Sequence, residues 1–131
     1  MRLYVTIPIK TISEANQRGI TRLAAIFKAK RIKTQRSETY YSLLGAYARL
    51  PPIVCKQPLV ITLTRIAPRA LDHGNLEASF KEVQDGVADW LAGEYGKGQD
   101  RREGLCWQYR QQRGKPKEYA VVVTIQNRIA L

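Results

Sequence analysis

Pro58-Leu59-Val60-Ile61-Thr62-Leu63-Thr64-Arg65-Ile66, followed shortly by the turn-like Ala70-Leu71-Asp72-His73-Gly74-Asn75, decides the fold class. The first stretch is dense in β-branched residues and reads as a buried strand. In the second, Asn75 can cap a helix that carries Leu76, Phe80, Val83, Val87, Trp90 and Leu91 at helical spacing and ends near Gly93. Toward the N-terminus, Leu3, Val5, Ile7 and Ile9 alternate with Tyr4, Thr6 and Pro8, the pattern of a first strand. Ser13 and Asn16 open a capping pattern, and Leu23, Ile26, Phe27, Leu43, Leu44 and Tyr47 then predict one helix or two. These end by Leu50, because Pro51-Pro52 cannot continue a helix. Toward the C-terminus a glycine-rich loop from Gly93 to Gly104 precedes two strands, Leu105 to Tyr109 and Tyr119 to Ile125. The basic turn Arg113-Gly114-Lys115-Pro116-Lys117 is expected to join them as an antiparallel hairpin. Strand, helix, strand, helix, strand, strand makes an α+β domain over residues 1–131, a single mixed β-sheet with helices packed on it.

Composition restricts what such a domain does. With 44% hydrophobic residues the chain can build a core without disulfide or zinc, which excludes a disordered tail. Cys55 and Cys106 stand far apart and the chain has 1 His, so zinc-finger spacing is absent; both cysteines read as small apolar residues in a reducing compartment. No leader or membrane-spanning run is apparent, and the expectation is a soluble cytoplasmic protein.

Charge is the strongest functional signal. Lys and Arg number 22 against 11 Asp and Glu, a formal net charge of +11. It is concentrated in the first fifty residues, where Glu14 and Glu38 are the only acids. Lys28, Lys30, Arg31, Lys33 and Arg36 fall within nine positions, a density that attracts DNA or RNA. An anionic membrane is disfavoured, because the apolar residues interleaved with these cations are expected to be committed to a core.

Signatures of nucleotide hydrolysis, serine acyl transfer, zinc proteolysis and dinucleotide binding are absent, so no nucleotide cofactor is expected. The chemistry-bearing residues that remain are loop carboxylates. Asp72 lies between a strand end and a helix, and Asp100 lies just before a strand. Converging carboxylates are the usual means of holding Mg²⁺ against a phosphodiester. A helix from Asn75 to Ala92 is about 25 Å long at ~1.5 Å per residue. The chain from Ala92 to Asp100 spans roughly 26–29 Å when extended, so the two carboxylates can share a site.

The segment Pro68-Arg69-Ala70-Leu71-Asp72-His73-Gly74-Asn75-Leu76, then Phe80-Lys81, Asp85-Gly86-Val87-Ala88-Asp89, Asp100 and Leu105-Cys106-Trp107-Gln108-Tyr109, resembles the RusA family of phage and prophage Holliday junction resolvases. Ile7-Pro8, Ser13-Glu14-Ala15-Asn16, Arg18-Gly19, the basic segment and Thr62 to Arg69 extend the likeness. The resemblance implies a homodimeric RusA-like α+β endodeoxyribonuclease of a bacterial host, phage- or prophage-encoded, that binds and cuts branched DNA in recombination and repair with Mg²⁺, or Mn²⁺, held by aspartates. It places Asp72 and Asp100 as metal ligands and Lys81 near the cleaved phosphate, and adds Arg69 to the DNA-binding cations; Asp85 matches a further acid. His73, beside Asp72, can ligate a softer ion such as Mn²⁺. Gly74 and Gln99 stand where the family usually has Asp. A junction-binding protein of the same fold that does not cleave is therefore the alternative.

Overall fold

The computed structural model describes residues 2–12, 21–48, 58–96 and 104–127. Strand β1 (Arg2–Ile7) turns Leu3 and Ile7 to the core and ends before Pro8, which cannot extend the ladder. Helix α1 (Arg22–Ala46) starts at Thr21, whose Oγ1 accepts from the Ala24 N–H at 3.0 Å. The expected start at Ser13 and Asn16, the Pro51-Pro52 stop and Cys55 lie outside the described residues. Strand β2 (Leu59–Ala67) alternates strictly, with Leu59, Ile61, Leu63, Arg65 and Ala67 facing inward.

The helical stretch that follows is two helices rather than one. Helix α2 (His73–Ser79) is capped by Asp72, not by Asn75, which lies inside its first turn and donates its backbone N–H to Asp72 Oδ1 at 2.9 Å. Phe80, with φ −91° and ψ 0°, interrupts the helix and buries its whole side chain in the core. Helix α3 (Lys81–Ala92) then ends where expected, at Gly93, whose φ of +80° is the left-handed cap that glycine adopts without strain.

Strands β3 (Leu105–Arg113) and β4 (Ala120–Asn127) are both present, but they do not form the expected hairpin. The sheet order is β1-β4-β2-β3, with β2 between them, parallel to β3 and antiparallel to β4; β1 pairs antiparallel with β4. Residues 114–119 provide the reason. They are longer than the two-residue loops that close tight hairpins, and they cross the end of β2, where the Gly114 N–H donates to the Ala67 carbonyl at 2.8 Å. The architecture is α+β, with one four-stranded mixed sheet and three helices among the described residues.

The core lies between one face of the sheet and the helices. Ile61 and Leu63 pair with Ile125 and Val123, and Phe80, Val83, Val87, Trp90 and Leu43 close over them. Each of these fully buried side chains contributes about 1.5–3 kcal/mol. The other face carries Thr62, Thr64 and exposed Tyr4, as expected of a sheet covered on one side. Trp107 and Tyr109 pack partly buried against the core, consistent with a sheet role; Cys106 is half-buried.

Only the second half of α1 joins this core, through Gln35, Thr39, Tyr40 and Leu43. The expectation that the apolar residues around the basic segment are core residues is corrected here. Leu23, Ile26 and Phe27 are 62%, 56% and 59% exposed, because the first turns of α1 run beyond the layer that α3 covers. Replacing Leu23 with Glu and Ile26 with Lys together is expected to change unfolding free energy by less than about 0.5 kcal/mol, as for other surface substitutions. Urea denaturation checks this; a loss of several kcal/mol would place these side chains in the core. Among the described residues no helix is long and apolar enough to cross a membrane.

Candidate functional site

Because β2 and β3 run parallel, their C-terminal ends, Ala67 and Arg113, emerge side by side. The segment leaving β2 is held to β3 by the Gln111 amide. Its Oε1 accepts from the Leu71 N–H at 2.9 Å, and its Nε2 donates to the Leu71 carbonyl at 2.8 Å. This two-bond clamp fixes Asp72, the next residue, at the rim. Asp72 Oδ1 accepts from the Asn75 backbone and Oδ2 accepts from Asn75 Nδ2 at 3.0 Å. A carboxylate oxygen has two acceptor positions, so each retains one toward solvent. His73 is exposed, and a Cβ on Gly74 would meet nothing within 4 Å.

Arg65 is the unusual member of this rim. It occupies the same inward-facing row as Leu59, Ile61 and Leu63, yet carries a charge and is only 8% exposed. Its Nε donates to Thr11 Oγ1 at 3.1 Å and its Nη1 to the Arg69 carbonyl at 2.6 Å. Burial lowers its pKa from the ordinary arginine value, and Tyr119 opposes this. Arg65, Arg69 and Arg113 line a pocket of about 270 Å³ with Ala70, Gln111 and Gln112.

A separate cleft of about 240 Å³ lies between α2, α3 and β3, lined by Glu77, Lys81, Gln84, Asp85 and Tyr109. Lys81 Nζ lies 3.3 Å from Asp85 Oδ2, the i,i+4 pair that the spacing allows. The Tyr109 hydroxyl donates to Gln84 Oε1 at 2.7 Å, and its ring stacks on Phe80. Asp100 and Gln99 lie outside the described residues. No group of three His, Cys, Asp or Glu side chains suited to a metal ion occurs among the described residues.

Of the basic segment, Lys30 and Lys33 are exposed on α1, while Lys28 and Arg31 are half-buried. Arg36 departs from the expected phosphate-binding role. Its Nε and Nη2 donate to Asp89 Oδ2 and Oδ1 at 2.6 and 2.8 Å, a bidentate pair with a fully buried carboxylate. The hydrogen bond to Asp89 raises the Arg36 pKa above its ordinary value, against a smaller opposing effect of burial. Its charge is thus matched within the fold. The α1 cations and the rim are linked through residues 8–12. Gln35 Nε2 on α1 donates to the Lys10 carbonyl, Lys10 Nζ lies 4.7 Å over the Tyr119 ring, and Thr11 holds Arg65.

Arg65 and Gln111 were missed as site residues in the sequence, although Arg65 carried a signal. An arginine in the apolar phase of a strand that is otherwise Leu, Ile and Leu is out of place unless something holds it. Gln111 carried no such signal. A scan against protein-family models finds no match, and a search of curated proteins finds none with significant similarity. The likeness to the RusA family therefore rests on the motif residues themselves.

Proposed function

We propose that the protein is a metal-dependent endonuclease of branched DNA, of the RusA type, working as a homodimer in a bacterial cytoplasm. The observation that supports this most is the rim at the ends of β2 and β3, where the Gln111 clamp holds the chain just before Asp72, three residues after Arg69 of the Arg65, Arg69 and Arg113 pocket. A nuclease needs that combination: cations to hold phosphate and a hard-oxygen donor for a divalent ion.

Asp72 fits as one Mg²⁺ ligand, since both its oxygens keep an acceptor position. The described residues alone do not complete a site, so Asp100, with His73 for Mn²⁺, is the expected remainder of the set. A bound divalent ion would supply Lewis-acid activation at the phosphate. The chain's own contribution is to hold and orient DNA. Lys30 and Lys33 neutralise backbone charge and Arg69 grips near the rim. Lys81 is 71% exposed in a surface ion pair of small worth, and so is available to swing to a phosphate.

Junction binding without cleavage is the second reading, favoured by Gly74 and Gln99 standing where the resemblance leads one to expect Asp. The deciding experiment is cleavage of a labelled four-way junction and a matched linear duplex with Mg²⁺, Mn²⁺ or EDTA. Metal-dependent cutting of the junction is expected, lost in both Asp72→Asn and Asp100→Asn. Gly74→Asp, entering open space, is expected to lower the metal concentration needed. Tight binding without cutting would leave the second reading. Absence of salt-sensitive binding would overturn both, since each neutralised duplex phosphate contributes about −0.9 to the slope of log K against log salt.

A further inference from the structure

We infer that the pocket at the ends of β2 and β3 is a binding site for one phosphate group, with Arg65 as its floor and Arg69 and Arg113 as its walls. Arg65 is buried on the core side of the sheet and makes no ion pair with any described carboxylate. Its two hydrogen bonds go to a threonine hydroxyl and a backbone carbonyl, both neutral. A guanidinium has five N–H donors, and two are used here. A charge removed from water and left unmatched is expensive, and a leucine in this row would be cheaper. The arrangement becomes favourable once an anion enters.

The walls fit the same ligand. The Arg69 and Arg113 guanidiniums are engaged by no described side chain, and the Gln112 amide adds neutral hydrogen-bonding capacity. Three arginines lining a space of about 270 Å³ suit a compact anion with several acceptor oxygens, because the planar fork of arginine matches pairs of phosphate oxygens. Burial of Arg65 in a low-dielectric position strengthens its attraction to that anion. The geometry of the pocket is also preset. Thr11 and the Arg69 carbonyl orient the Arg65 fork, and Gln111 fixes the backbone beside it.

The phosphate can come from an internal diester of a nucleic acid or from a terminal phosphate. The internal source rests on the nuclease reading above, whereas affinity for a phosphate group does not. Thermal unfolding of the full chain in inorganic phosphate, against sodium chloride at equal ionic strength, tests the site. A saturable rise in Tm specific to phosphate is expected. The apparent phosphate affinity should fall roughly tenfold or more in the Arg69→Ala/Arg113→Ala double variant, where both residues are exposed and the fold is undisturbed. Arg65→Gln should abolish the response. Displacement of phosphate by a short duplex with and without a 5′-phosphate then separates the sources: equal displacement assigns the internal diester, and preference for the phosphorylated duplex assigns the terminal group. A Tm rise equal in chloride, or undiminished in the double variant, would overturn the site even if junction cleavage is observed. Loss of junction cleavage with the phosphate response intact would remove the nuclease reading and leave the site.

Discussion

Asp89→Ala is expected to destabilise the protein by about 3–5 kcal/mol, the usual cost of stranding one partner of a buried ion pair. Asp89 is fully buried at the face where α3 meets α1, and its two oxygens hold the Arg36 fork. Removing the carboxylate leaves a guanidinium with 29% side-chain exposure facing a cavity. Urea denaturation should show a large fall in midpoint with little change in slope. Replacing both partners at once, Arg36→Met with Asp89→Leu, is expected to recover much of the loss, because an apolar pair of similar volume carries no desolvation cost. If the double variant is as unstable as the single, shape rather than charge governs the seam. The sign of the pH dependence follows from Arg36. Its folded pKa lies above its ordinary value, so its stabilising effect is fully present below that ordinary value and fades only as pH rises toward the folded one. Arg36 titration therefore adds no slope to stability across neutral and mildly alkaline pH.

Gly86→Ala is the second large effect, expected at about 2–3 kcal/mol of destabilisation. A Cβ there would lie 2.6 Å from the Arg36 carbonyl oxygen and 2.7 Å from Thr39 Cβ. The first is backbone in the middle of α1, so relief requires moving the helix. Glycine inside a helix ordinarily costs up to about 1 kcal/mol relative to alanine, and here close approach of the two helices outweighs it. Gly74→Ala is the control. Its Cβ meets open space within α2, so alanine should be neutral or mildly stabilising, and thermal unfolding of the two variants should move in opposite directions. Gly86 and Asp89 both contact Arg36, so their combined loss should fall short of additive.

These two residues show how much the sequence disclosed. Asp85-Gly86-Val87-Ala88-Asp89 entered as a family motif suggestive of function, and in the fold it is largely a helix-packing seam. Gly86 admits α1, Val87 and Ala88 are buried, and Asp89 anchors Arg36; Asp85 alone points to a surface pair, with Lys81. The strands were legible because period-two alternation survives in β1 and β2. The pairing of β3 with β2 was not, since a six-residue connection fits both a hairpin and a crossing. The break at Phe80 was hidden by helical spacing that continues through it on both sides. Arg36 and Lys33 look alike in the sequence; only the position of a carboxylate fifty-three residues away from Arg36 distinguishes a structural cation from a free one. At the candidate site, Asp72 lies between a strand end and a helix as its sequence context suggests, but Gln111, which holds the neighbouring Leu71, is distant in sequence and unmarked by any motif.

The strand order also bears on how the protein is made. Strand β4 lies between β1 and β2, so a nascent chain that has released β1, α1, β2, α2, α3 and β3 holds β1 with no strand beside it. The parallel β2 and β3 pair can form with α2 and α3 while synthesis continues, whereas β1 must wait for residues 120–127. Contacts of such long sequence separation form late and slowly. During that interval β1, with Leu3, Val5 and Ile7 uncovered, is the part of the chain most open to mispairing on the ribosome.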